Sequence, residues 1–373
     1  MFNQYVLILV WLGFMALLQG RFYREEYNEL IDDYDWRVKP VFAFMVMLPV
    51  IWMATNRGYF ADTYFYIPDY LRMPDTIQEI PIYLATVMKD KGFALFSCLI
   101  KIVFGEQYIL YLLIIAFIQA YTVIKLYRKY SENYVLSIFL FIASTDYISW
   151  MFNGIRQFLA VCVIVFFTPL MIKKTERPLV EKYLPLFAVI LLASTVHQSA
   201  LIMIPYIIIA QGEVWNKKTV AYIGMVILAT VFVDRFTNVL DGVLASTQYV
   251  NVVSDYTSWN DDGTNPIRVF IYSIPAILAF WGKNKIKEEG GVVINFCANM
   301  SVISMGMYLI SMVTSGIFMG RLPIYCSLYS YILLPWEIEN LFYENNKRII
   351  KICLLVGYIA FYGYGMHFQN RLI

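Results

Sequence analysis

Four polar side chains interrupt apolar stretches of this sequence at places where their charge is costly without a partner. Arg156 follows an Asn-Gly pair at the start of a long apolar run, and Arg321 stands in the short break Gly-Arg-Leu-Pro. Arg57 and His197 occupy two further breaks. An arginine side chain donates two parallel hydrogen bonds and keeps its charge, which suits a diphosphate. A histidine can accept a proton there, because its pKa lies near neutral pH.

Each of these residues also has a purely structural interpretation. Arg156 and Arg321 could anchor helix ends while their stems snorkel to the headgroups. His197 could form a satisfied polar turn between two helices. Asp62 lies five residues after Arg57 and could simply pair with it. The functional interpretation is favoured because all four cationic or titratable residues are predicted at helix ends on one side of a membrane.

The composition indicates which class of protein carries these residues. The chain has 60% hydrophobic and 15% charged residues, against about 25% charged residues in soluble domains. Its mean hydropathy is +0.60, and its five cysteines show no metal-ligand spacing. No phosphate-binding loop of the type G-x-x-x-x-G-K-[ST] is present, so an ATP-driven pump is disfavoured. We therefore expect a polytopic, all-α integral membrane protein without cleavable signal, metal, cofactor or nucleic-acid partner.

Apolar runs near the length of a bilayer crossing predict about 12 transmembrane helices in one membrane domain, 1–373. The runs are approximately 2–19, 38–55, 108–126, 134–150, 155–172, 183–196, 198–211, 219–236, 267–282, 291–313, 322–338 and 349–366. Most lysines and arginines fall in the linkers after the odd-numbered runs, which predicts that those linkers are cytoplasmic. Arg57, Arg156, His197 and Arg321 then face outward.

Two long linkers lie on the predicted outer side. The first, 56–107, contains the apolar segment 93–104, which is too short to span and whose Lys101 suggests a helix lying in the interface. The second, 237–266, carries Tyr256 and Trp259 among carboxylates. Aromatic faces interleaved with polar groups suit a carbohydrate, because rings stack on sugar C–H surfaces while polar groups bind hydroxyls.

Several motifs occur in the order and spacing of one known family. They are N-R-G-Y-F-A-D-T-Y-F-Y (56–66), D-K-G-F-A-L-F-S-C-L-I-K (90–101), N-G-I-R-Q-F-L-A (153–160), H-Q-S-A-L-I-M-I-P (197–205) and G-R-L-P-I-Y-C-S-L-Y-S-Y-I-L-L-P (320–335). Together they resemble the EpsG-like branch of the Wzy-type polysaccharide polymerases. The G-I-R-Q and H-x-S-A motifs are the more specific part of this resemblance.

The resemblance implies a metal-independent membrane glycosyltransferase with an architecture like that of the GT-C class. Such enzymes polymerise undecaprenyl-diphosphate-linked repeat units into O-antigen, capsule or exopolysaccharide at the outer face of the bacterial inner membrane. Membrane lipids and a chain-length regulator are the partners it suggests. In this chain Arg156 and Arg321 would bind the diphosphate, and His197 would be the candidate base. The resemblance and the composition together suggest these substrate-binding residues: Arg57, Asp62, Tyr66, Asn153, Gln157, Gln198, Tyr256, Trp259 and Tyr325.

Three alternatives use the same residues differently. An O-antigen ligase would share the donor and change the acceptor. A flippase or transporter should place ionisable residues near the bilayer midplane, whereas here they are predicted at outer helix ends. A polysaccharide acyltransferase is disfavoured because its usual histidine pairs are missing from a chain with two histidines.

Overall fold

The computed structural model describes residues 3–28, 33–172, 179–244, 263–369 and 372. Helices dominate it, and the β-strands β1 (Tyr23–Asn28) and β2 (Asp33–Val38) form one antiparallel hairpin. The first helices are α1 (Gln4–Leu18), α2 (Pro40–Asn56), α3 (Thr63–Leu71), α4 (Ile80–Thr86), α5 (Lys91–Phe104), α6 (Tyr108–Tyr130), α7 (Tyr134–Ala143), α8 (Ile155–Phe166), α9 (Thr168–Ile172) and α10 (Leu179–Val196). The remaining ones are α11 (Met203–Ala210), α12 (Lys217–Val231), α13 (Val233–Leu244), α14 (Pro266–Trp281), α15 (Lys283–Glu289), α16 (Gly291–Met312), α17 (Ile324–Asn340) and α18 (Glu344–Tyr364).

Four helical stretches in the described residues are long and apolar enough to cross a membrane. They are Gln4–Arg21, Tyr108–Tyr130, Gly291–Met312 and Glu344–Phe368, and the number rises to six if each of two bent pairs counts as one span. This confirms the prediction of an all-α membrane protein. Helices also occupy the other predicted spans, but several have only 10–17 residues. The number twelve and the GT-C-like architecture stay predictions.

Two predicted spans are sharply bent. Tyr134–Ala143 and the π-helix Tyr147–Asn153 meet at 76°, and Lys217–Val231 meets Val233–Val243 at 107°. At the first bend Thr145 has a φ of +61°, a left-handed conformation that a helix does not accommodate. Hydropathy predicts one span over 134–150 and one over 219–236, and the structure shows a bent pair of helices in each. Hydropathy measures the length of an apolar run and contains no information on its direction.

The chain divides into two compact units, which are described separately. The first comprises Met1–Leu201 and Glu344–Ile373, and the second Ile202–Tyr343. One core cluster of the first unit joins α3, α5, α6 and α8, where Tyr70 stacks on Tyr111 at 4.3 Å between ring centroids. Ser97 of α5 and Tyr111 of α6 share a hydrogen bond of 3.2 Å. These contacts fix the helices that carry the polar residues described below.

The β-hairpin of the first unit was not anticipated, since the sequence analysis had assigned these residues to a cytoplasmic linker. Arg128, in the last turn of α6, binds it by donating to the Val38 carbonyl at 2.5 Å and pairing with Glu26. Arg37 donates to the Arg128 carbonyl in return, at 3.1 Å. A basic residue in the last turn is also favoured by the helix dipole. Arg128, predicted as an orientation signal, therefore has a structural role.

The second unit is arranged around α16, which is almost entirely buried. Asn299 donates to the carbonyls of Ala210, Gly212 and Glu213 at 3.1, 3.3 and 3.0 Å, and accepts from the Trp215 amide. Asn299 thereby pairs four backbone groups at the turn between α11 and α12, and Asn295 and Asn216 pair others. Such pairing is what allows an amide to be buried among apolar helices.

Both long linkers contain helices. Within 56–107 lie α3, α4 and α5, and Lys101 of α5 is buried, with its ammonium 3.2 Å from the Leu71 carbonyl and 3.4 Å from Asp75. Lys101 is thus held inside the unit. Whether this helix lies at a membrane interface stays a prediction. In 237–266, α13 continues to Leu244, and 245–262 lie outside the described residues.

Candidate functional site

The turn after α2 brings Arg57 and Asp62 into place. Gly58 and Ala61 have φ of +60° and +48°, so the chain reverses sharply before α3. The buried hydroxyl of Thr63 accepts from the Phe60 amide at 2.6 Å and donates to the Gly58 carbonyl at 2.7 Å. These hydrogen bonds hold Asp62 at the start of α3. They explain why a threonine follows the aspartate in the N-R-G-Y-F-A-D-T motif.

Arg57 is held from one side and unpaired on another. Its Nη1 donates to the carbonyls of Ala54 and Met151 at 2.6 and 3.2 Å, and its guanidinium lies 5.6 Å from the ring centroid of Phe152. Nε and Nη2 are buried and have no hydrogen-bond partner among the described residues. Burial lowers the pKa of Arg57 to about 10, against the opposing charge of Asp62. The group still carries its charge at neutral pH.

Arg156, in the first turn of α8, has two of its donors already engaged. Its Nε donates to the Tyr66 hydroxyl at 2.8 Å, and its Nη1 lies 3.2 Å from Oδ2 of Asp90. The guanidinium also lies 5.3 Å from the ring centroid of Tyr66 and 6.0 Å from that of Phe93. Two aromatic rings and a carboxylate thus hold this arginine in one orientation. Its side chain remains 31% exposed.

Asp90 was not among the predicted site residues. It precedes α5 with a φ of +55°, and its side chain is 3% exposed. Burial raises the pKa of this carboxyl above its usual range, while Arg156, Lys89 and the backbone amide of Gln198 act in the opposite direction. In the sequence it is the first residue of the motif D-K-G-F-A-L-F-S-C-L-I-K (90–101), but an acidic residue before an apolar helix also describes an ordinary helix start.

Close packing of α5 on α10 fixes the position of Asp90. A Cβ on Gly92 would lie 2.2 Å from Oγ1 and 2.8 Å from the backbone carbon of Thr195. Only glycine permits this approach. Because Thr195 is followed closely by His197 and Gln198, the contact brings the H-Q-S-A motif beside Asp90.

Tyr66 connects Arg156 to the aromatic wall of the site. Its ring packs edge-on against Phe93 with centroids 5.7 Å apart. Burial raises the pKa of Tyr66 to about 12, and the charge of Arg156 lowers it in part. The hydroxyl is therefore protonated at neutral pH, and while it accepts from Arg156 its own proton is available to a ligand.

These residues border a cavity of about 400 Å³ in the first unit. Its wall contains three carboxylates, two cations and several aromatic rings. The lining residues are Asp62, Phe65, Tyr66, Asp69, Met73, Tyr83, Val87, Met88, Lys89, Asp90, Phe93, Ala94, Tyr111 and Arg156. This is the volume of a small-ligand pocket. Three predicted site residues, Asp62, Tyr66 and Arg156, thus meet at one cavity.

The other predicted residues of the first unit are not among those that line this cavity. His197 shares a hydrogen bond of 2.7 Å with Ser199 through Nδ1. The backbone amide of Gln198 lies near enough to Asp90 to lower the pKa of its carboxyl, against the effect of burial. Asn153 ends the π-helix whose Met151 carbonyl receives Arg57, and Gln157 is buried in α8.

The second unit holds Arg321 and Tyr325. Arg321 ends a short 3₁₀-helix, Met319–Arg321, and is partly exposed. Thr264 and Ser311 shape the preceding turn, because a Cβ on Gly320 would lie 2.6 Å from Oγ1 of Thr264. Tyr325 is buried in α17. Tyr256 and Trp259 lie outside the described residues. In the part that the structure describes, His, Cys, Asp and Glu form no group of three that could hold a metal ion.

Fold and site together define a helical membrane protein with a charged, aromatic-walled cavity at its helix ends. The sequence pattern of the EpsG family matches residues 40–371, so the chain belongs to the EpsG family. EpsG-like proteins are Wzy-type polysaccharide polymerases, and the expected family is confirmed. No curated protein and no solved structure matches the chain. Membership indicates a membrane-embedded polysaccharide polymerase, which acts on lipid-linked oligosaccharide.

Proposed function

We propose that this protein polymerises undecaprenyl-diphosphate-linked repeat units into a surface polysaccharide at the outer face of the bacterial inner membrane. In this reaction a hydroxyl of an incoming lipid-linked unit attacks the anomeric carbon of the growing chain. The bond from that carbon to the diphosphate oxygen breaks, and its electron pair leaves with the diphosphate. The protein crosses the membrane about twelve times, and its architecture is GT-C-like.

The proposal rests on the side of the Arg57 guanidinium that carries Nε and Nη2. Nε–H and Nη2–H are the two parallel donors on one side of a guanidinium, and both are buried without a partner among the described residues. A buried cation with unpaired donors costs on the order of several kcal/mol. A diphosphate supplies two acceptor oxygens and a matching charge, which removes that cost.

Arg156 is the second member of the proposed anion site in the first unit. Asp62 lies within electrostatic range of both Arg57 and Arg156, which supports a role for the two arginines at one ligand. Cationic groups held in a site that contains little water stabilise the charge that develops on a departing diphosphate without needing a metal ion. Arg321 stays a predicted ligand from the sequence motif. A chain-length regulator is a proposed partner on the basis of family membership.

The test uses the purified full chain in lipid nanodiscs and lipid-linked repeat units extracted from cells that lack it. We expect a ladder of longer chains without nucleotide and in the presence of EDTA. Arg57→Ala, Arg156→Ala and Arg321→Ala should each abolish the ladder and weaken binding of farnesyl diphosphate, used as a probe. Arg235→Ala is the matched control, because Arg235 is exposed on α13.

Other outcomes distinguish the rival functions. Unchanged lipid that crosses liposome membranes would indicate a flippase. Transfer of finished chains only to an added core oligosaccharide would indicate a ligase. Normal ladders from all three arginine variants would refute the diphosphate site.

A further inference from the structure

The cavity of the first unit carries more negative than positive charge, so beyond its Arg156 edge it does not suit the diphosphate. Its wall carries the carboxylates of Asp62, Asp69 and Asp90 against the two cations Lys89 and Arg156. A phosphate placed among three carboxylates would be repelled. Carboxylates and aromatic rings on the same wall instead match a sugar, whose hydroxyls donate hydrogen bonds and whose C–H faces stack on rings.

Asp90 is the carboxylate best placed to receive a proton. Its side chain, 3% exposed, is the most buried of the carboxylates in the described ion pairs, and its Oδ2 lies 3.2 Å from Nη1 of Arg156. Oδ1 is buried and makes no close hydrogen bond with any described residue. Asp69, by comparison, is exposed and pairs with Arg72. An acceptor atom therefore remains on Asp90 after its ion pair is made.

We propose that this cavity holds the acceptor sugar and that Asp90 takes the proton from the attacking hydroxyl, an inference that rests on the proposed polymerase function. The hydroxyl oxygen forms the new bond to the anomeric carbon. Its proton passes to Oδ1 of Asp90, and the diphosphate leaves with the electron pair of the broken bond. Asp90 then releases the proton to solvent before the next cycle.

The surroundings of Asp90 suit this role. Groups facing it are Arg156 from α8, Tyr66 from α3, Lys89 from its own segment and the Gln198 amide beyond α10. Arg156 keeps the carboxylate ionised and oriented, while burial raises its pKa and makes it a stronger base than an exposed aspartate. His197 is the competing candidate, but its Nδ1 is bound to Ser199 and it is not among the residues that line the cavity.

The experiment compares Asp90→Asn with His197→Gln in the nanodisc assay with extracted lipid-linked repeat units. Asparagine is the least disruptive substitution because it tolerates the positive φ of this position. Its expected effect is a fall in kcat on the order of 10² to 10⁴, typical of lost general-base catalysis. KM and farnesyl diphosphate binding should change less than about threefold. Asp90→Glu should retain part of the activity and shift the acidic limb of the pH–rate profile.

Controls separate this inference from the function on which it rests. Glu79→Gln removes an exposed carboxylate of the same linker and should leave the rate unchanged. Wild-type rates from Asp90→Asn, or loss of activity in His197→Gln alone, would overturn the role of Asp90 while the polymerase stands. Loss of farnesyl diphosphate binding in Asp90→Asn would also overturn it, by assigning Asp90 to the positioning of Arg156. Inactive wild-type protein would overturn the polymerase and this inference together.

Discussion

Asn299 in the second unit and Arg57 in the first are both polar side chains set among apolar helices, and they differ in how their donors are used. The side-chain amide of Asn299 donates to three carbonyls and accepts from one backbone amide of a single turn. Arg57 makes two bonds to carbonyls and keeps its Nε and Nη2 buried without a described partner. A satisfied polar group stabilises a fold, whereas an unsatisfied one weakens it and indicates a binding role.

The comparison extends to the neighbouring charges. Lys101 of the first unit is also buried, yet it reaches a carbonyl and two carboxylates, so it resembles Asn299 more than Arg57. Arg156 lies between the two cases, with two donors engaged and part of its surface open to the cavity. Burial alone therefore does not mark the functional residues. For these cations, the unused donors of Arg57 are the additional feature that favours a binding role.

The largest expected effect is that of Arg57→Met. Methionine fills similar space without a charge, so the rate of polymer formation should fall on the order of 10³-fold because leaving-group stabilisation is lost. Stability in nanodiscs should stay equal or rise, since an unpaired buried charge is removed. Thermal unfolding and the polymer ladder measure the two quantities on one sample. A variant that loses stability and activity together would place Arg57 with the structural residues.

Asn299→Ala should show the opposite pattern. Its loss removes the partner of the Ala210 and Gly212 carbonyls and of the Trp215 amide, while the Glu213 carbonyl keeps the Asn216 donor at 2.9 Å. We expect a loss of about 3 kcal/mol in the free energy of unfolding. Activity per folded molecule should remain. Asn56→Ala, which removes an exposed hydrogen bond of 3.0 Å to the Trp52 carbonyl, is the matched control and should change stability by less than about 1 kcal/mol. Equal stability of the two variants would contradict the comparison.

Gly92→Ala tests how far the site depends on helix packing. The added methyl would meet Thr195 at 2.2 Å, so α5 and α10 must separate, at a cost of about 2 kcal/mol. Activity should fall with stability, because Asp90 and Gln198 are carried by the two helices. Combining the change with Thr195→Gly should restore part of both. If Gly92→Ala alone keeps full activity, the position of Asp90 does not depend on this contact.

The smallest effect is on pH dependence. Because burial lowers the pKa of Arg57 to about 10, the cationic form that binds a diphosphate is present below that pH and is lost above it. Affinity for farnesyl diphosphate should fall about tenfold per pH unit beyond this point, a loss of about 1.4 kcal/mol for each unit. In Arg57→Ala the fall near pH 10 should disappear. An unchanged profile in that variant would assign the titration to another group.

The local sequence was sufficient to predict the class of protein and part of the candidate site. The hydropathy of the chain predicted a membrane protein. The motifs around Arg57, Asp62, Tyr66 and Arg156 indicated the family. Three of these residues, Asp62, Tyr66 and Arg156, line the cavity. Arginine in an apolar context is visible in a sequence because its burial is costly wherever it occurs. The same signal made Lys101 and Arg128 appear as interface and orientation markers.

Only the tertiary structure decided which polar groups remain unpaired. The carbonyl of Met151, ninety-four residues from Arg57, and the pairing of Arg156 with Tyr66 and Asp90 depend on how α2, α3, α5 and α8 pack. The same holds for Asp90, which the sequence shows only as the first residue of a family motif. The packing of Gly92 against Thr195 and the position of Asp90 in the cavity wall are visible only in the structure. Periodicity reports which residues are apolar along one segment, while hydrogen-bond satisfaction is a property of several segments at once.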